Sequence, residues 1–60
     1  MIYIGVDTHK VQHVLVALNE LGQQQDTVAV KNTPEGWAAA LHWRRRWAEA
    51  CCWGVENSGS

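Results

Sequence analysis

Two carboxylates stand where burial penalises them: Asp7 closes the apolar run in "IYIGVDTHK", and Glu56 closes a second one, "CCWGVE". Each follows a glycine by two positions, Gly5 and Gly54. On an extended strand, residues two apart share a face. Glycine inside a strand weakens it and marks a place where something approaches the backbone closely. Carboxylates brought together repel and raise each other's pKa unless a cation lies between them. Hard divalent cations take oxygen ligands, and Mg²⁺ is held through one or two carboxylates plus substrate phosphates. The residue types and their spacing therefore fit a metal site for phosphoryl chemistry, with Asp7 and Glu56 as ligands; on spacing alone, polar residues that simply end the strands of a small sheet are the more ordinary alternative.

Such a site exists only if the two runs lie side by side. Ile2, Ile4 and Val6 alternate with Tyr3, Gly5 and Asp7, a period-two pattern that ends at the polar "DTHK". A second strand is predicted over residues 12–18, rich in Val and Leu, followed by the turn sequence "NELG" with Gly22 free to adopt positive φ. The third is predicted over residues 26–31, with Val28 and Val30 on one face and Thr27, Ala29 and Lys31 on the other. These three form an antiparallel meander. "NTPEG" then changes the period: Thr33 suits a helix cap, Pro34 the first helical position and Glu35 the positive end of the helix dipole.

At 100° per residue, Ala40, Trp43, Trp47, Ala50 and Cys51 share one side of that helix, with Trp37, Leu41 and Ala48 beside them and His42, Arg45, Arg46 and Glu49 opposite. Arg44 falls within the apolar arc, its stem expected along the sheet edge and its charge in water. Residues 51–56 read as a fourth strand. A strand, helix, strand order implies a right-handed crossover, which makes the fourth strand parallel to the third and so to the first. The fourth can then neighbour the first, bringing Asp7 and Glu56 to one edge. The expected fold class is α/β: a meander, one helix, and a fourth strand parallel to the first.

Composition narrows the classes. Sixty residues make at most one small domain, and one of this size buries only about 60% of the surface its unfolded chain exposes. Cys51 and Cys52 are adjacent and no Cys-x-x-Cys pair exists, which excludes a mutual bridge, a zinc ribbon and a thioredoxin-type site. Both are expected as buried small hydrophobes in a reducing compartment. No stretch approaches the ~20 apolar residues of a membrane span, so no membrane partner and a soluble, cytoplasmic protein are expected. The net charge of −1 argues against an autonomous nucleic-acid binder, which carries a basic excess. His9 and His13 straddle a turn and lack the third ligand zinc requires. Arg44, Arg45 and Arg46 beside Trp43 and Trp47 mimic a nucleic-acid surface, but helical geometry sends the tryptophans to the sheet and scatters the arginines.

"IGVDTHK", "NTPEGW" and "WGVENSGS", in that order and over nearly the whole chain, resemble the opening of the DEDD-type insertion-sequence transposases. The resemblance implies a RuvC-like, RNase H-like domain, of which residues 1–60 would be the incomplete N-terminal part. It implies that Asp7 and Glu56 are the first two catalytic, metal-ligating carboxylates of a four-carboxylate site using Mg²⁺ or Mn²⁺. By that likeness the function is DNA recombination in transposition, by metal-dependent phosphodiester transfer. The partners implied are DNA, a guide RNA of the kind associated with the family, and further copies in a homo-oligomer of the full-length enzyme. "THK" is part of the signature, so the resemblance implies a place near the scissile phosphate for His9 or Lys10, while a solvated turn explains both residues as well. Two metal ions would stand about 3.5–4 Å apart, Asp7 bridging them and Glu56 ligating one.

The sequence also departs from the family. The later Asp-x-x-Asp segment and the serine-bearing C-terminal domain are not among these residues, and neither Ser58 nor Ser60 is assigned a nucleophilic role. The expectation is an N-terminal fragment that binds Mg²⁺ weakly and cleaves nothing alone. A non-catalytic interaction module or remnant, pairing with an intact transposase through an exposed sheet edge, is the alternative. An actin-like ATP-binding fold ranks below both, because "DTHKV" lacks the glycine that would cradle phosphate.

Overall fold

A computed structural model of the chain describes residues 1–56, Glu56 by its backbone. The elements run β1 (Ile2–Thr8), β2 (Gln12–Leu18), β3 (Gln24–Lys31), α1 (Pro34–Arg44) and β4 (Cys51–Glu56). They form one mixed sheet in the order β3-β2-β1-β4, with β1 antiparallel to β2, β2 antiparallel to β3, and β1 parallel to β4. The expected α/β layout is the observed one. β3 begins two residues earlier than its alternation suggests, and a bulge at Ala17/Leu18 lets Leu18 pair with Gln24.

Alternation decides the faces. Ile2, Ile4 and Val6 of β1 and His13, Leu15 and Ala17 of β2 are buried, and Val30 joins them from β3. Ala40 and Trp43 of α1 close this core, with Val28, Trp47 and Cys51 packed at its margin. The helix covers that face alone. The opposite face carries Tyr3, Gly5 and Asp7 beside Leu18, Val16 and Val14, and no helix lies over it among the described residues.

Short-range chemistry fixes the turns and the start of the helix. Between β2 and β3, Asn19 Oδ1 accepts from the Leu21 and Gln23 amides at 2.9 Å each, and Gly22 adopts the expected positive φ of 78°. Thr33 Oγ1 accepts from the Gly36 amide at 3.0 Å and Pro34 opens the helix, both as expected. Gly36 has a role that spacing alone does not reveal. A Cβ there would lie 2.8 Å from the Lys31 carbonyl carbon and closer still to its oxygen, so the first turn rests directly on the end of β3.

The helix ends sooner than the periodicity suggests. Trp47, Ala48, Ala50 and Cys51 lie beyond it, because the Arg45, Arg46 and Trp47 amides fold back onto the carbonyls of His42, Trp43 and Arg44 and close the last turn tightly. Arg44 also departs from expectation: its guanidinium donates to the carbonyls of Trp47 (3.3 Å) and Glu49 (3.4 Å) and braces the connection to β4. Trp43 reaches the sheet as expected, donating from Nε1 to Asp26 Oδ2 at 2.9 Å, and Arg46 pairs with the same carboxylate. Trp47 packs edge-on against Trp43 with centroids 4.9 Å apart. At the same end of the strands, the Met1 ammonium bridges Glu20 and Glu49 at 2.7 Å each.

Candidate functional site

β1 and β4 run parallel and in register, residue for residue: Gly5 beside Gly54, Val6 beside Val55, Asp7 beside Glu56. Both carboxylate positions therefore lie at the carboxyl ends of adjacent parallel strands, on the face that α1 leaves uncovered. The glycine pair sits directly behind them. Nothing lies within 4 Å of where a Cβ would stand at Gly5 or Gly54, so neither glycine is demanded by packing among the described residues. Their effect is to leave bare backbone next to the acids.

That bare backbone forms the floor of an open depression of about 360 Å³, lined by Gly5, Asp7, Val14, Val16 and Gly54. Val14 and Val16 oppose Asp7 and Gly5 across the β1–β2 pairing and supply its apolar side. At the rim, the Asp7 carboxylate is half exposed, and His9 Nε2 lies 3.3 Å from its Oδ2. The His9 amide donates to the Gln12 carbonyl at 3.1 Å, which sets the turn that brings the imidazole back over β1.

The sequence-derived residues thus divide. Asp7 and Glu56 come together as backbone neighbours, His9 joins Asp7, and His13 does not. His13 points to the helix side, 5% exposed, its ring stacked on Trp37 with centroids 4.7 Å apart. Both of its ring nitrogens are buried with no hydrogen-bond partner among the described residues. The two histidines face opposite sides of the sheet, in keeping with the rejected zinc reading. Ser58 and Ser60, like the rest of "NSGS", lie outside the described residues.

The donor chemistry fits a hard divalent cation: the half-exposed Asp7 carboxylate stands at the rim, next to the backbone position of Glu56, with room on the glycine side for further oxygen ligands. Among the described residues no three His, Cys, Asp or Glu side chains converge on one point. One expectation for the cysteines needs correction. Cys51 is half-buried at the core margin, but Cys52 is exposed, because it follows Cys51 on the strand and so turns to the uncovered face. No helix among the described residues is long and apolar enough to cross a membrane. Comparison with protein families, with curated proteins and with solved structures yields no match to this chain.

Proposed function

We propose that this chain carries part of the catalytic domain of a DEDD-type DNA transposase, with an RNase H-like fold, in which Asp7 and Glu56 hold catalytic Mg²⁺ or Mn²⁺. One observation carries the reading: the in-register placement of Asp7 beside Glu56 over the Gly5–Gly54 pair. A parallel pair with a carboxylate at the end of each strand and bare backbone behind it suits a phosphodiester brought close to the sheet. The order of "IGVDTHK", "NTPEGW" and "WGVENSGS" along the chain supports the same assignment.

In this reading each residue has a distinct task. Asp7 and Glu56 supply the anionic oxygens, the glycines leave space for the nucleic-acid backbone, and His9 holds the Asp7 carboxylate in place from the side. Asp7 and Glu56 would hold the metal, which when bound would supply activation of the attacking oxygen and stabilisation of the leaving one. Two carboxylates provide only part of such a ligand set, so the chain by itself binds metal weakly and leaves DNA intact. With a net charge of −1, it also contributes little general affinity for DNA, which must come from other parts of the enzyme.

The test is a Mn²⁺ titration of the 60-residue chain followed by paramagnetic broadening of its amide resonances. The reading expects broadening centred on Asp7, Thr8, Val55 and Glu56, reversed by excess Mg²⁺ and lost in Asp7→Asn. Uniform broadening, or broadening that survives Asp7→Asn, refutes the metal site. Metal-dependent DNA cleavage by the purified chain, abolished in Asp7→Asn, refutes the partial-site account.

A further inference from the structure

Asp7 stands near the end of β1 with its carboxylate half exposed, and His9 Nε2 lies 3.3 Å from its Oδ2. The terminal torsion of an aspartate is broad, so a carboxylate at the surface samples many orientations unless a neighbour holds it. A cation that needs one of those orientations must order the side chain as it binds, which weakens the affinity. A neighbour that fixes the torsion beforehand removes that loss.

The backbone carrying His9 suits it to this task. Its amide donates to the Gln12 carbonyl at 3.1 Å and closes the β1–β2 turn. The Asn32 amide donates to the Val11 carbonyl at 3.0 Å and ties the same turn to the segment that enters α1. Gln12 pairs with Lys31, whose carbonyl accepts the Thr33 amide at 2.9 Å. The turn is thus anchored to β3 and to the start of the helix through backbone groups, and none of these anchors uses the imidazole. His13 cannot take its place, because its ring lies on the helix side against Trp37.

We propose that His9 is a positioning residue for Asp7: Nε2, presented by this anchored turn, fixes the carboxylate in the orientation that receives a divalent cation. The inference rests on the metal-site reading and names the residue that sets the affinity of that site. A neutral imidazole carries its proton on either nitrogen, so Nε2–H can donate to Oδ2. Residues that support a metal ligand from behind typically change metal affinity by about 10- to 100-fold. For a contact half exposed on both sides, the lower end applies, about tenfold. Reach decides the effect. A glutamine at position 9 places an amide N–H donor where Nε2 stands, whereas an asparagine donor stops closer to the backbone, level with Nδ1.

Titrations of the 60-residue chain with Mn²⁺, read by amide broadening at Asp7 and Thr8, and with Mg²⁺, read by amide shifts, test the role. His9→Ala should weaken both metals about tenfold, His9→Gln should restore them, and His9→Asn should behave like His9→Ala. Thermal unfolding midpoints should not move, since the side chain is half exposed and takes no part in closing the turn. His42→Ala, on the solvent side of α1, should leave metal binding unchanged. Binding that is lost in Asp7→Asn but unaltered in His9→Ala overturns the positioning role and leaves the metal site standing. Binding indifferent to Asp7→Asn overturns both. A loss confined to Mn²⁺ makes His9 a direct ligand, because imidazole suits transition metals and Mg²⁺ takes oxygen, and overturns the proposal as well. So does a loss that follows a lowered unfolding midpoint or that His9→Gln fails to reverse.

Discussion

Replacing Gly36 by alanine separates packing from propensity by the sign of its effect. In helix interiors alanine is favoured over glycine by about 1 kcal/mol, so propensity alone predicts a more stable protein. The geometry predicts the reverse. An added Cβ would lie 2.8 Å from the Lys31 carbonyl carbon and 2.9 Å from its nitrogen, distances that real Cβ contacts do not reach. Lys31 cannot simply yield, because its carbonyl also accepts the Thr33 amide at 2.9 Å. The first turn must therefore lift away from β3 and strain the Thr33 cap. Overpacking of this kind costs roughly 1–3 kcal/mol and a weakened cap about 1 kcal/mol more, against a propensity gain at or below about 1 kcal/mol. The net loss is about 2 kcal/mol, a large part of the roughly 3–5 kcal/mol that a core of this size supplies. Thermal unfolding followed by circular dichroism should show a fall in Tm on the order of 10 °C. Ala39→Gly, at an exposed position of the same helix, is the control and should lose about 1 kcal/mol through propensity alone. A Gly36→Ala variant as stable as the parent, or more so, refutes the close approach of helix and strand.

Two further predictions follow from buried or bridging polar groups. His13→Phe keeps the ring against Trp37 and removes two buried nitrogens that have no partner among the described residues; it should raise stability by about 1 kcal/mol, read as a higher urea midpoint, and a lower midpoint would mean that the imidazole is satisfied after all. The Asp26 carboxyl is held below its ordinary range by the Trp43 indole N–H, the Thr27 amide and the nearby Arg46 guanidinium. A folded-state pKa below the unfolded one gives stability that is present above the unfolded value, near 4, and lost as pH falls through the folded value. Asp26→Asn should therefore flatten the acid limb of Tm against pH below about pH 4, and an unchanged limb would show that the carboxylate does not couple helix to sheet.

Local chemistry is legible in this sequence where it is dense. Ile2, Ile4 and Val6 announce β1 by alternation, and Thr33, Pro34 and Glu35 mark the helix start because each acts on backbone groups within a turn of itself. The pairing of Asp7 with Glu56 was also within reach, since strand order and direction follow from a meander plus one crossover. The end of the helix was not. Trp43 and Trp47 keep helical spacing past Arg44, while the tight i+3 closure of the Arg45, Arg46 and Trp47 amides and the Arg44 guanidinium bracing the Trp47 and Glu49 carbonyls mark where the chain turns off, and neither leaves a side-chain pattern. Gly36 was hidden for a similar reason: its neighbour is the Lys31 backbone, and a contact with backbone leaves no side-chain pattern. For His13, alternation with Leu15 and Ala17 is the sequence signal that places it on the buried face.

Among the described residues β4 is held on one side, by β1, while the helix leans chiefly on β3. Edge strands secured in this way open first in sub-global fluctuations, ahead of the rest of the fold. The meander and helix can stay intact while residues 51–56 come and go, and each departure separates the Asp7 and Glu56 positions. Under the proposed metal-site reading, occupancy of the site and order of the last strand are one equilibrium: a cation held at Asp7 and Glu56 would slow hydrogen exchange along β4, and fraying of β4 would dissolve the site without unfolding the protein.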